Sequence, residues 1–469
     1  MKRILACLLA LMLLIPAFAA AEDTGAAFEA GFGRANITPD ESVPLAGYGN
    51  TERRMSDGYL DYLYANVLAL RDAKGETVLL IMLDLISAPS IQVTEPIRKA
   101  VHTATGVKNE NIMVQGSHTH SGPDVYSKLD CITHYNFLLP KLVAQAAEEA
   151  VADLQPATLA TANGEIEGLN FVRHYLMNDG TYCGDNYGSE SSGYKAHESE
   201  ADHTIQELLF KRENAEDILV INFQTHPHRT GGMARYDVSS DIVGQVREYV
   251  EANTDCVCTY MQGAAGNINP ISRITSENRT TDYKVWGEIF GKKAVEMMAD
   301  MQPIESGDLL VTDTKVTCTI NHTEDGKTLQ ARVIYDEWLK TGNNTKAAQD
   351  GAPYDIHSPY HASAIINKTK LGKEEPVQLW ALSFGDVGIA CAPYEMFDVN
   401  GDYIKDNSPF ALTLVMGYCN DMKSYIAADY SYDNTCYEAD QCRYVKGTAE
   451  ILAQEFAELL TGLYEEADK

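Results

Sequence analysis

Short apolar runs of strand length alternate along this chain with stretches of helical spacing. Ala65 to Asp72 and Thr77 to Ile86 are aliphatic and joined by Ala73-Lys74-Gly75-Glu76, which predicts a hairpin. Glu95 to Thr105 predicts a helix, with Thr94 as its cap, Pro96 in its first turn and Gly106 after its end. A strand starting at Asn111 follows, then an Ala-rich helix from Leu138 to Leu154. Leu208 to Lys211 and Ile218 to Phe223 predict a second hairpin, turning at Glu213-Asn214-Ala215. Asp241 to Val250 reads as helix, Cys256 to Gln262 as strand, and Tyr283 to Met301 as helix. Leu309 to Ile320 and Val377 to Ala390 are later strands. Thr448 to Tyr464 predicts a terminal amphipathic helix, with Ile451, Leu452, Phe456 and Leu459 on one face. No repeat or low-complexity linker interrupts the series. The expected class is α/β: a layered, mixed β-sheet core with flanking helices.

The strand ends carry unusual punctuation. The strand from Asn111 runs into Ser117-His118-Thr119-His120-Ser121-Gly122-Pro123, and that from Ile218 ends in His226-Pro227-His228. The Cys256 strand ends in Gly263-Ala264-Ala265-Gly266-Asn267-Ile268-Asn269-Pro270, and the Val377 strand in Ala392-Pro393-Tyr394-Glu395. Four such ends predict one crevice above a sheet, where α/β proteins place ligands.

The chain opens with Met1-Lys2-Arg3, an apolar run from Ile4 to Phe18 and small residues through Ala21. That pattern predicts a secretory leader over residues 1–21 and an exported product without a membrane anchor. Removing Lys2 and Arg3 moves the formal charge from −30 to about −32. Such acidity argues against nucleic acid or an anionic membrane as a partner held by bulk charge. Nine cysteines remain after the leader, an odd number; Cys436 and Cys442 are close enough in sequence to bridge a short loop. Cys256 and Cys258 are expected to share a strand rather than a metal.

Neutral imidazole is a preferred zinc ligand. Two His-x-His pairs at strand ends therefore point to a metal, against the alternative of hydrogen-bonded imidazoles. His-x-His also opens amidohydrolase barrels and the metallo-β-lactamase fold, but the latter wants His-x-His-x-Asp-His, and Gly122 and Pro123 depart from it. Glu395 is a candidate carboxylate ligand. The amides of the Gly263–Pro270 turn can approach a ligand closely or hold an oxyanion; the plainer reading is a tight turn. Spacing singles out none of the tyrosines between Tyr418 and Tyr444.

In order, these blocks resemble the neutral/alkaline, non-lysosomal ceramidase family. The carriers are Gly31-Phe32-Gly33-Arg34-Ala35-Asn36-Ile37-Thr38-Pro39 with Ala46-Gly47-Tyr48-Gly49, the Ser117–Pro123 block, Asn222–His226 with Ser239-Ser240-Asp241, Gly266–Pro270, and the pair Tyr425 and Tyr437. The resemblance runs from about Gly31 to Tyr464. It implies a catalytic zinc held by His118, His226, Glu395 and Tyr425. It further implies that His120, Arg173 and Tyr437 contact substrate or bound water. The implied reaction is hydrolysis of the amide of ceramide or a related N-acyl lipid. Residues 22–469 would form one catalytic domain, without the family's C-terminal immunoglobulin-like domain. Two departures bear on ceramide as substrate: the expected lack of that domain, and Asn269, which stands where the family has serine, so an amide donor replaces a hydroxyl. A zinc hydrolase of another amide or ester, and a non-catalytic binding protein, remain the alternatives.

Overall fold

The apolar runs fold as strands buried on both faces. In Thr77–Leu83, every residue from Val78 onward is buried. The computed structural model describes residues 28–49, 51–87, 91–184, 193–230, 235–274, 282–434 and 436–467. The expected leader lies outside them. No helix among the described residues is long and apolar enough to cross a membrane.

The larger sheet runs, edge to edge, Cys256–Gln262, Asp217–Phe223, Thr204–Arg212, Gln155–Glu165, Phe28–Asn36, Tyr64–Asp72, Thr77–Leu83 and Ile112–Gly116. The pairs at the two ends are parallel and those between are antiparallel. A second sheet holds Leu309–Thr319, Glu374–Phe384, Val387–Cys391 and Leu412–Met416.

The period of two sorts these strands into layers. Leu68, Leu70, Leu80, Met82, Leu208, Val220 and Met261 point inward and meet Leu309, Leu382, Ile389 and Leu414 of the second sheet. Their neighbours Val67, Ile81 and Val114 face the helices Ile91–Thr105 and Asp130–Ala152. Leu209, Leu219, Ile221 and Tyr260 face the helices Asp241–Asn253 and Tyr283–Met297. Thr448–Ala467 covers the outside of the second sheet through Leu452, Phe456 and Leu460. The result is four layers, helix, sheet, sheet and helix, which is the expected layered α/β class.

The ends of the larger sheet are drawn together by the segment after Leu412–Met416. Gly417 donates its amide to the Gln262 carbonyl at 3.0 Å, and Asn420 donates to Val114 at 2.7 Å. Gln115 Nε2 donates to both Gln262 O and Gly417 O, at 2.8 and 2.7 Å. This stitch brings the His118 end of the sheet beside the His226 end.

Several boundaries differ from the sequence expectation. The helix expected from Glu95 begins at Ile91, so Pro96 falls inside it rather than in its first turn. The Ala-rich helix begins at Asp130, not Leu138. The Val377 to Ala390 run is two antiparallel strands, because Gly385 takes φ +58° and turns the chain. Cys436 and Cys442 are both free thiols. Cys436 Sγ contacts Ser431 O, and Cys442 Sγ contacts the Tyr432 hydroxyl.

One buried acid has no counterpart in these layers. Both oxygens of Glu207, in Thr204–Arg212, lack a hydrogen-bond partner, and burial pushes the carboxyl up to about 8. The folded chain then holds a proton between pH 4.5 and about 8 that the unfolded chain releases. Stability therefore falls as pH rises through that window. Glu207→Gln is expected to melt close to wild type near pH 4.5 and to be more stable by roughly 1–3 kcal/mol at pH 8 and above. Parallel melting curves at both pH values check this.

Candidate active site

Two short ladders and one helix assemble the site. Ile268–Asn269 pairs with Phe171–Val172, which seats Arg173 beside Asn269. Glu395–Met396 pairs with Tyr425–Ile426, which seats Glu395 beside Tyr425. The short helix Tyr437–Gln441 supplies Tyr437 and Glu438. Glu395 follows a strand of the second sheet, so the crevice lies where the two sheets meet rather than above one sheet, as the strand ends alone suggested.

His118 sits at φ 71°, a left-handed conformation uncommon for a residue with a side chain. The fold over-determines it. Its amide donates to Leu85 O at 2.9 Å, its Nδ1–H donates to Ile86 O, and its ring stacks on Tyr418 with centroids 4.2 Å apart. With Nδ1 occupied, the Nε2 lone pair faces the site. His226 is held the same way, its Nδ1–H donating to Ile268 O at 2.9 Å. The two Nε2 atoms lie 3.3 and 3.5 Å from one oxygen of Glu395. That oxygen, Oε2, is buried and has no hydrogen-bond partner. An orphaned carboxylate oxygen facing two imidazole lone pairs is a ready cation site. The ligand atoms of His118, His120 and His226 also lie within 4.8 Å of one another.

The loop after His226 is fixed from the Ser239-Ser240-Asp241 block. Asp241 accepts the amides of Arg229 and Thr230, at 3.1 and 2.6 Å. Asp61 in turn holds the two serines. The block therefore acts on the site through the histidine loop.

His120 lies 3.4 Å from His118, Nε2 to Nε2. Burial, reinforced by the surrounding histidines and Arg173, pushes its pKa well below the ordinary value. Its ring rests on Gly47: a Cβ there would lie 2.4 Å from the ring, and Gly47 takes φ +98°. Gly47→Ala is expected to displace His120 and lower kcat/KM by about 10²-fold, because misplacement of order 1 Å costs that much. Steady-state kinetics together with the melting temperature distinguish this from unfolding.

Arg173 is the hub. Its Nε donates to Glu438 at 2.5 Å, and Nη2 donates to Gly266 O at 2.8 Å and to the Tyr425 hydroxyl at 3.1 Å. Its Nη1 faces His226 Nε2 at 3.3 Å and Asn269 Oδ1 at 3.4 Å. Burial works against its charge, but Glu438, Tyr425 and Glu395 hold it protonated, well above the ordinary value. Glu438 also accepts from His174 at 2.8 Å. Despite burial, Arg173 and His174 hold Glu438 down at about 2. Tyr425 and Tyr437 pack edge to face at 5.6 Å, and burial, then Glu395, pushes both phenols up. Asn269 accepts from His228 Nε2 at 3.0 Å.

All eight residues singled out from sequence thus converge: His118, His120, Arg173, His226, Asn269, Glu395, Tyr425 and Tyr437. Sequence reasoning missed Glu438 and His174, and gave no role to His228. Only His228 carried a signal, as the second half of its His-x-His pair.

Known proteins match this chain in sequence and in fold. The neutral/alkaline non-lysosomal ceramidase N-terminal region matches residues 28–277, more than half of the chain. A solved structure described as a ceramidase complexed with C2 superposes with a TM-score of 0.70 at 18% identity, covering 94% of this chain and 75% of its own. A neutral ceramidase from Pseudomonas aeruginosa gives 0.68 at 17% identity, with the same coverage. At these identities the structures establish a shared fold. The sequence match over residues 28–277 goes further: the chain belongs to the neutral/alkaline non-lysosomal ceramidase family.

Proposed function

We propose that this chain is an exported, zinc-dependent amidohydrolase that cleaves the N-acyl amide of ceramide or a related N-acyl lipid. The observation that carries the reading is the convergence of His118 and His226 on the unpartnered oxygen of Glu395. These three, with Tyr425, would hold the metal. When bound, zinc supplies an acidified water and a polarised carbonyl.

The chain's own groups do the rest. Glu438 and the Gly266 carbonyl fix the Arg173 guanidinium, which presents a permanent positive charge to the oxygen that becomes anionic. Tyr437 stays protonated because its site is buried, so it donates a hydrogen bond to that oxygen. His120 is neutral at pH 7, and its Nε2, 3.4 Å from His118 Nε2, would be the atom that bonds substrate or water. The burial of all these groups strengthens each interaction by excluding water.

Asn269 supports a second reading, a different amide or ester substrate. It has no hydroxyl to ionise, and its carbonyl oxygen is committed to His228. Release of sphingosine from N-acylsphingosine by wild type and by Asn269→Ser separates the two. Turnover by wild type supports the ceramide reading. Turnover only by the serine variant assigns the native substrate elsewhere.

A further inference from the structure

A second set of metal-ligating side chains lies on the other side of Tyr437. His357 and His361 flank the start of helix Pro359–Lys368, and Asp440 is on helix Tyr437–Gln441. Their ligand atoms lie within 4.8 Å of one another. His357 Nδ1 is 2.8 Å and His361 Nδ1 3.3 Å from the same oxygen, Asp440 Oδ2. Ligand atoms around a tetrahedral zinc with bonds near 2.0–2.1 Å are spaced about 3.3 Å apart, so small shifts suffice.

The far nitrogen of each ring is held by a carboxylate. His357 Nε2 is 3.1 Å from Asp355 Oδ1, and His361 Nε2 is 3.1 Å from both oxygens of Glu324. This carboxylate–histidine pattern is the one that orients imidazoles toward a metal and raises their basicity.

The hydrogen bonds also say where a proton is missing. The His357 amide donates to His361 Nδ1 at 3.3 Å, which leaves Nδ1 an acceptor and places the ring proton on Nε2, toward Glu324. His361 Nδ1 and Asp440 Oδ2 are then two acceptors facing each other at 3.3 Å. Such a pair needs either a further proton or a metal cation between its members. Lys327 pairs with Glu324 and Asp355, and Lys368 with Glu324. In the metal-free chain the hydrogen bond to Asp440, and then Asp355, push His357 up to about 9, so a bound cation would take the place of that proton.

We propose that His357, His361 and Asp440 form a second metal site, for a divalent ion of the zinc class, independent of the His118–His226–Glu395 cluster. Its role is structural. It ties the helix Pro359–Lys368, and through Glu324 the turn that precedes Thr328–Thr341, to the helix that carries Tyr437 and Glu438. Tyr360, inside the His357–His361 turn, packs edge to face against Tyr437 with centroids 6.0 Å apart. An occupied site would therefore hold that face of Tyr437 in place.

The test removes the other cluster first. A His118→Ala/His226→Ala chain is loaded with zinc, dialysed and assayed for metal by mass spectrometry. About one zinc per chain is expected to remain, and zinc is expected to raise the melting temperature. Adding Asp440→Asn or His361→Asn is expected to weaken retention at least tenfold and to abolish the thermal shift. Circular dichroism reports folding; if His361→Asn does not fold, the half-buried His357→Gln takes its place. A double variant that binds no zinc and melts identically with or without it overturns the proposal; the rings then carry protons paired to the carboxylates. Undiminished zinc in the folded Asp440→Asn chain overturns it equally. Neither result bears on the His118 cluster.

Discussion

Glu395→Ala is expected to remove metal affinity at the His118–His226 cluster and amide cleavage together, with kcat/KM falling by about 10³-fold or more. The reason is geometric. Glu395 Oε2 is the atom shared by both histidines, 3.3 and 3.5 Å away, and nothing else satisfies it. Removing the carboxylate also takes away the negative charge that balances Arg173 and any bound cation in this buried place. The His118→Ala and His226→Ala chains are expected to show the same paired loss. Stability is expected to fall modestly in Glu395→Ala, since Oε2 makes no hydrogen bond in the metal-free chain while Arg173 loses a nearby counter-charge. Metal analysis, turnover and melting temperature on one preparation check all three statements.

Glu438→Ala is expected to have the largest effect on stability, about 3–5 kcal/mol, because it leaves the Arg173 guanidinium buried without its carboxylate. His174 loses the same partner. Turnover is expected to fall as well, since Arg173 is then free to swing from the position proposed for it beside the oxyanion. The sign of the pH dependence follows from Glu438 itself, whose carboxyl is held at about 2 in the folded chain against 4.5 in the unfolded one. Its contribution is complete above pH 4.5 and disappears as pH falls toward about 2. Wild type and variant are therefore expected to differ most in denaturant titrations at neutral pH, and to converge in acid. A double replacement of Arg173 and Glu438 by apolar residues is expected to recover part of the stability and none of the turnover.

The sequence showed some of this directly and hid the rest for identifiable reasons. His118 and His226 stand at the ends of apolar runs, and a run such as Val78 to Leu83, with no polar alternation, already announces a strand covered on both faces. What covers those faces is not written locally. That Leu80 shares a core with Leu382 while Ile81 shares one with Val101 depends on packing between distant segments. The single strand expected from Val377 was divided by Gly385, whose effect depends on the φ it adopts. Tyr425 and Tyr437 lie among many tyrosines, and only the family resemblance selected them. Glu438 had no signal at all. It is one acid in a polar stretch, and its partners Arg173 and His174 are 265 and 264 residues away along the chain. The second histidine pair, by contrast, was in plain sight, and His228 takes a place beside Asn269 that spacing alone did not assign.

On the function proposed, a metal held by His118, His226 and Glu395 is what makes this chain an amidohydrolase. The direct measurement is sphingosine release from N-acylsphingosine by the purified chain, before chelation, after chelation, and after zinc is restored. Release that disappears on chelation and returns with zinc, in wild type but not in Glu395→Ala, is the expected result. Release that survives complete removal of metal, or that Glu395→Ala retains in full, would contradict it.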